Sequence, residues 1–276
     1  MKTDRHIDIM GIVNLTDDSY FAESRCGDVE SALQRIGQMV SDGADIIDIG
    51  ACSSRPGSVP VGPEREWERL EPVLKAVRAS FPDVRISIDT YWASVVEKAY
   101  SLIGDFIVND ISAGEDDPLM LLTVGRLGLE YVAMHKRGTS VSMSSLTDYD
   151  DVTAEVIRYF KEFALKARDA GIERWILDPG FGFAKTVEQN YRLLADLSEI
   201  SSSLRENGSS PRIMVGVSRK SMVYRPLGSS PDEVLPATQA VHMAALLKGA
   251  DMLRVHDVRE ARQTVSLFEI MDSPNY

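Results

Sequence analysis

Asp178 follows an apolar run in the stretch "ILDPGFGFAKT" at 176–186, where a lone carboxylate needs a reason. The stretch nearly spells a phosphate-gripping loop, which requires G-x-x-x-x-G-K-[ST]. Counted from Gly180, Lys185 occupies the place of the second glycine; counted from Gly182, the spacing is shorter still. The glycines are therefore read as a turn that brings backbone close to a flat or charged group. Asp178 becomes the working residue and Lys185 a surface residue at a helix start. Other short apolar runs also end in polar side chains: Asn14; Asp48 and Gly50; Asp89 and Thr90; Asn109 and Asp110; Met134 and His135. Two more lead into Ser218-Arg219-Lys220-Ser221 and into Arg254, His256 and Asp257. Buried Asp and Asn suit a neutral heterocycle rich in N–H and amide-like groups, because a carboxylate accepts two N–H bonds side by side. Lys220, Arg254, Arg55 and His256 form a cationic set in an acidic chain, which suits an anion such as a diphosphate. Ser221, where the next helix starts, suits a second anion such as a carboxylate.

Plainer readings hold elsewhere. Asp110 and Asp257 read as helix caps or turn residues, and His6 and His242 as structural. The Glu-rich face at 64–71 reads as solvated surface. There is no H-x-x-x-H and no cysteine pair of metal-site spacing, so any ion would be hard and oxygen-bound, namely Mg²⁺ shared with phosphates.

The elements that must carry these residues are legible. Apolar runs recur near 7–13, 45–50, 85–90, 105–110, 130–135, 174–179, 212–218 and 251–257. Most are continuous in Val, Ile, Leu or Met, as in parallel strands buried on both faces. Helical patterns lie between them: Trp67, Leu70, Leu74 and Val77 share one face, as do Val152, Val156, Phe160, Phe163 and Ala167. Thr186 with Gln189 reads as a capping box, and so does Ser230-Pro231 with Glu233. Eight strands alternating with helices predict a single (β/α)8 TIM barrel over residues 1–276, with an open doubly wound sheet as the alternative. The long segments at about 15–28 and 51–63 are read as active-site loops after strands 1 and 2, and 201–211 as a helix–strand loop.

Composition narrows the partners. The chain has 276 residues, 44% of them hydrophobic, a net charge of −12 and a pI near 4.9. Such a field repels nucleic acid and anionic membranes. The start lacks the apolar stretch of a secretory signal, and the longest apolar runs are too short to span a bilayer. Two cysteines, Cys26 and Cys52, suit a reducing cytoplasm and argue against a bridge between the two loops.

Taken in order, "MGIVNLTDDSY" (10–20), "IDIGACSSRPGS" (47–58), "IDT" (88–90), "VNDISAG" (108–114), "AMHKRGT" (133–139), "ILDPGFGFAKT", "GVSRKS" (216–221) and "LRVHDV" (253–258) resemble the dihydropteroate synthase family across essentially the whole chain. The resemblance implies a (β/α)8 barrel and a homodimer. It implies a transferase that condenses dihydropterin pyrophosphate with p-aminobenzoate. It would place Asp89, Asn109 and Asp178 on the pterin ring, with Lys220 bonding the ring, Arg254 stacking on it and Met134 lining the pocket. Asn14, Arg55, Arg254 and His256 would hold the pyrophosphate, with Asn14 also near Mg²⁺. Ser54, Phe183 and Ser221 would surround p-aminobenzoate. The chain departs from the family pattern at Asp17, where a proline is usual, and at Cys52, Ser54 and Lys136, where Glu, Thr and Met are usual. A pterin-binding methyltransferase is disfavoured by "SSRPG" and "SRKS". A paralogue without catalysis draws support only from the loop departures, and a Schiff-base lyase using Lys220 is disfavoured by the adjacent Arg219.

Overall fold

The computed structural model describes residues 6–15, 29–52, 61–139, 142–205 and 211–272, with Ser144 by its backbone alone. Its eight strands are β1 (Asp8–Asn14), β2 (Ile46–Gly50), β3 (Arg85–Asp89), β4 (Ile107–Asp110), β5 (Glu130–Met134), β6 (Trp175–Asp178), β7 (Arg212–Val215) and β8 (Met252–Val255). All pair parallel, each with the next in sequence, and β8 returns to β1 through Asp8 opposite Met252 and Met10 opposite Arg254. The sheet is therefore closed, and the open doubly wound alternative falls away. The surrounding helices are α1 (Val29–Ser41), α2 (Pro63–Ser80), α3 (Ala93–Ile103), α4 (Met120–Leu127), α5 (Val152–Asp169), α6 (Val187–Ala195), α7 (Leu197–Ser203), α8 (Ser221–Tyr224), α9 (Leu235–Leu247) and α10 (Val258–Asp272). No helix among the described residues is long and apolar enough to cross a membrane.

Both faces of the sheet are buried, which is why the strands read as continuous apolar runs. Outside, the strands pack on helix stripes such as Leu70, Leu74 and Val77 of α2 and Val156, Phe160 and Phe163 of α5. Inside, Met10, Ile46, Ile107, Val132, Ile176, Met214 and Met252 form a separate plug that fills the barrel. The barrel is packed through its middle and offers space for chemistry only above that plug.

The start signals divide. Thr186 accepts from Gln189 N–H, and the Gln189 side chain accepts in return from Thr186 N–H, so the box at the start of α6 is complete. Ser230 N–H and Oγ both donate to Glu233, at 3.3 and 3.0 Å, but this box closes a turn rather than a helix. The helix begins later, at Leu235, with Pro236 in its first positions. Residues 201–203 belong to α7 rather than to a loop. Most of both long loops, with Asp17, Cys26, Ser54 and Arg55, lies outside the described residues.

Candidate active site

Strand geometry sets the site. Successive side chains alternate between the faces of a strand, so the residue two positions beyond each plug residue faces the same lumen one layer higher. From β1 to β8 that layer reads Ile12, Asp48, Asp89 (two beyond the buried Ser87), Asn109, Met134, Asp178, Gly216 and Arg254. Polar groups there rest on an apolar floor at the mouth of the barrel.

The acids form one connected set. Asp48 Oδ2 accepts from Asn109 Nδ2 at 3.1 Å and from Arg254 Nε at 2.7 Å, while Arg254 Nη2 also reaches Asp89 Oδ2 at 2.8 Å. Asp48 Oδ1 is buried with no hydrogen-bond partner among the described residues. Such an orphaned acceptor carries a desolvation cost of about 1–3 kcal/mol. Burial pushes the Asp89 carboxyl upward against the pull of Arg254, and Asp48 pushes it further. Burial also raises Asp178, opposed by Lys220. Burial disfavours the Arg254 charge, but Asp48 and Asp89 more than restore it. These carboxylates sit where ionisation is expensive, and an N–H donor arriving from a ligand would lower that cost.

Gly216 marks the convergence point. A Cβ placed there would lie 3.8 Å from Lys220 Nζ and 3.9 Å from both Asp178 Oδ2 and Arg254 Cβ. With no side chain from the seventh strand, the Asp178 carboxylate and the Lys220 ammonium both come within van der Waals reach of that point, beside the Arg254 stem. Lys220 arrives from the turn after β7, where Arg219 takes a left-handed φ of 55°. The Arg219 guanidinium pairs with both oxygens of Asp257, at 2.8 and 2.9 Å, and donates to Pro231 O and Asp232 O. That anchorage holds the strained backbone and so aims the next side chain. Lys220 Nζ donates to Phe181 O at 2.7 Å and lies 4.7 Å from the centre of the Phe183 ring. Burial lowers its pKa to about 8, although Asp178 acts to raise it.

Asp89, Asn109, Met134, Asp178, Lys220 and Arg254 are thus brought to one mouth. Asn14 ends β1 opposite Gly50, on the same rim. Ser221 opens the four-residue α8, directly after Lys220. The Ser54 and Arg55 assignments lie outside the described residues. His256 faces the rim, with Nδ1 3.1 Å from Ser218 Oγ. Burial, and then Arg254, drive its pKa down to about 3, which favours the neutral imidazole as placed.

Two further readings are corrected. Lys185 is not a surface residue: it is buried, with Nζ donating to Gly180 O and Phe183 O, both at 3.0 Å, and 2.9 Å from His135 Nδ1. Burial brings its pKa to about 7. Glu66 is not on a solvated face: it is fully buried, and burial raises its pKa to about 7. Asp110 does close a turn, accepting from Ser112 and Gly114 N–H, and it also receives the buried Tyr131 hydroxyl at 2.6 Å. Asp48 is visible in the sequence as a strand end, but only its place two residues beyond Ile46 marks it as a site residue.

A closed barrel whose mouth holds under-paired acids and a half-buried lysine is built to grip a polar heterocycle. The chain matches the family model described as pterin binding enzyme over residues 10–256. It is 38% identical to the dihydropteroate synthase of Escherichia coli (strain K12) over 266 residues, which covers 96% of this chain and 91% of that one. It also superposes on the dihydropteroate synthase of Burkholderia cenocepacia complexed with 7,8-dihydropteroate (TM-score 0.86, 34% identity, covering 98% and 92% of the two chains). A second solved structure, the Thermus thermophilus dihydropteroate synthase in complex with 4-aminobenzoate, gives a TM-score of 0.84 at 36% identity over 96% and 95%. The chain belongs to the pterin-binding enzyme family, among its dihydropteroate synthases.

Proposed function

We propose that this chain joins 6-hydroxymethyl-7,8-dihydropterin pyrophosphate to p-aminobenzoate, giving 7,8-dihydropteroate and pyrophosphate in folate biosynthesis. The carrying observation is the convergence of Asp178 Oδ2, Lys220 Nζ and the Arg254 stem about Gly216, which brings no side chain of its own. A pterin edge there would donate N–H bonds to Asp178 while Lys220 donates to a ring acceptor. Asn109 would present its carboxamide oxygen, since its Nδ2 is given to Asp48. Arg254, held flat by Asp48 and Asp89, would stack on the ring, and Met134 would close the apolar side. Phe183 and Ser221, with Ser54, would receive p-aminobenzoate.

In the reaction the bond from the pterin methylene carbon to the pyrophosphate oxygen breaks, and the electron pair leaves with pyrophosphate. The aniline nitrogen forms the new bond to that carbon and then gives up one proton. The amine is neutral at pH 7 and needs little help from a base. Asn14, Arg55, Arg254 and His256 would surround the departing anion. Diphosphate binding would raise the His256 pKa, and either protonation form would offer an N–H to the anion. Asn14 supplies one hard oxygen donor at the rim. That fits a Mg²⁺ taking its remaining ligands from diphosphate and water, where the ion would offset charge on the leaving group. The two long loops, closing over the mouth, would keep water from the electron-poor methylene.

The same reading makes the protein a cytoplasmic homodimer. The adjacent helices α9 and α10 expose Leu247, Leu267, Ile270 and Met271, an apolar set that suits a contact between copies. The deciding experiment mixes the purified protein with dihydropterin pyrophosphate, p-aminobenzoate and Mg²⁺, and looks for dihydropteroate by mass spectrometry. Product is expected. Folded protein that binds the pterin yet yields none would overturn the assignment in favour of a paralogue without catalysis. Absence of pyrophosphate binding by calorimetry, with and without Mg²⁺, would count against any synthase.

A further inference from the structure

The turn that follows β6 is held between two lysines, Lys185 buried and Lys220 half-buried. On the side facing the mouth, Lys220 Nζ donates to Phe181 O and lies over the Phe183 ring. On the far side, Lys185 Nζ meets Gly180 O, Phe183 O and His135 Nδ1, all within 3.0 Å. With a longer contact of 3.5 Å to His135 O, these engage every donor of the ammonium. Those acceptors converge because the backbone turns left-handed at alternate residues, with φ of 74° at Gly180, 83° at Gly182 and 49° at Ala184. The turn also leaves no slack: a Cβ on Gly180 would stand 1.9 Å from His135 O. Asn190 secures the rest, accepting from Gly182 N–H at 2.7 Å and donating to Thr186 O at 2.6 Å.

Lys185 thus touches the inner carbonyls of the turn whose outer face supplies the Lys220 anchor. Remove the ammonium, and His135 Nδ1 and Phe183 O lose this donor, Gly180 O keeps only the Phe183 N–H, and left-handed residues lose part of what holds them. We infer that Lys185 is a positioning residue for the pterin site, acting through the Gly180–Phe183 turn to fix Lys220 Nζ and the Phe183 ring. This rests on the reading that Lys220 contacts the pterin. The lysine contributes through geometry and not only through charge, because its three donors match an arrangement that a flat guanidinium cannot.

The test is a double-mutant cycle on the affinity for dihydropterin pyrophosphate, measured by calorimetry with Mg²⁺. Lys185→Met is expected to weaken binding by about 10- to 100-fold in the wild-type background, and by less than about threefold in a Lys220→Ala background. Lys185→Arg is expected to give little rescue. An equal loss in both backgrounds, full rescue by arginine, or wild-type affinity in Lys185→Met would overturn the inference. If Lys185→Met does not fold, Asn190→Ala releases the same turn from its other side, and the same cycle with the same expected sign applies. If Lys220→Ala itself binds the pterin as wild type does, the reading of Lys220 fails instead, and the two failures stay distinct.

Discussion

The base and the mouth of the barrel both carry buried aspartates, and they treat them in opposite ways. At the base, Asp8 takes Arg212 at 2.7 Å and Arg85 at 3.3 Å. Asp45 takes Arg262 at 2.5 Å and the Ile9 N–H at 2.7 Å. These pairs join β1 to strands three and seven and tie the start of β2 to α10. His6, Asp8 and Asp45 gather at metal-ligand spacing, but the two carboxylates already have arginines. At the mouth, Asp48 keeps one oxygen without a donor among the described residues, Asp178 Oδ2 and Lys220 Nζ face each other about Gly216, and Lys185, buried, and Lys220, half-buried, have depressed pKa values. Charges are saturated where they hold strands together and left incomplete where a ligand can complete them.

The largest effect that tests this contrast is Lys220→Ala. Turnover should fall by about 10²–10³-fold, the loss typical of removing one aimed donor. The melting temperature should stay within a few degrees, because the residue sits on a turn and not in the plug. Unchanged steady-state turnover would break the contrast at its centre.

Next comes pH. Burial holds Lys220 near a pKa of about 8, well below the usual lysine value. If its charged form works, kcat/KM should decline above pH 8 by about tenfold per unit. Lys220→Arg, charged throughout that range, should be slower at pH 7 but flat from about pH 8 to 9.5. Stability should move the other way. A lysine whose folded pKa is lowered binds fewer protons than the unfolded chain between the two values, so unfolding free energy rises with pH there. For Lys185, that window runs from about 7 to the unfolded value of 10.5. Denaturant titrations at pH 7 and pH 9, compared between wild type and Lys185→Met, read this directly.

A smaller effect belongs to the base. Asp8→Asn should cost about 1–3 kcal/mol, since it leaves arginines half exposed rather than buried and bare. It should lower the melting point and leave kcat and both KM values within twofold. A kinetic change from Asp8→Asn would show that the two ends are coupled, contrary to the division drawn above.

How far the sequence foretells this follows from the same physics. The barrel is legible because eight apolar runs buried on both faces alternate with helical patterns. Asp89, Asn109 and Asp178 are legible as site residues because each ends such a run and the family resemblance assigns each to the pterin. Asp48 does not stand out as a site residue, because a strand-end aspartate is ordinary until the strand register puts it two residues above the plug. Lys185 and Glu66 mislead for one shared reason. A lysine beside a helix cap and a glutamate in a charged helix look solvated locally, and only tertiary packing buries them. The carbonyls that receive Lys185 come from residues 180 and 183, and its third acceptor from residue 135, a contact across fifty positions that no local pattern announces.

Lys136 sharpens the comparison at its finest grain. It stands where the family usually has methionine, is buried to 6% exposure, and pairs with Asp116 at 2.6 Å, whose own side chain is 36% exposed. This is a mouth residue treated by base rules: its charge is fully met by a partner on the neighbouring loop. The pair therefore should hold the loops after β4 and β5 together without shaping the pterin pocket. A half-exposed ion pair is worth little, and Met fills the same volume without desolvating an ammonium. Lys136→Met should change stability by less than about 1 kcal/mol, in either direction. The KM for dihydropterin pyrophosphate should stay within twofold, because Asp178 and Lys220 contact neither partner of the pair. A KM shift of tenfold would mean that Lys136 belongs with the incomplete charges of the mouth, and the line between saturated and unsaturated groups would have to be redrawn through that pair.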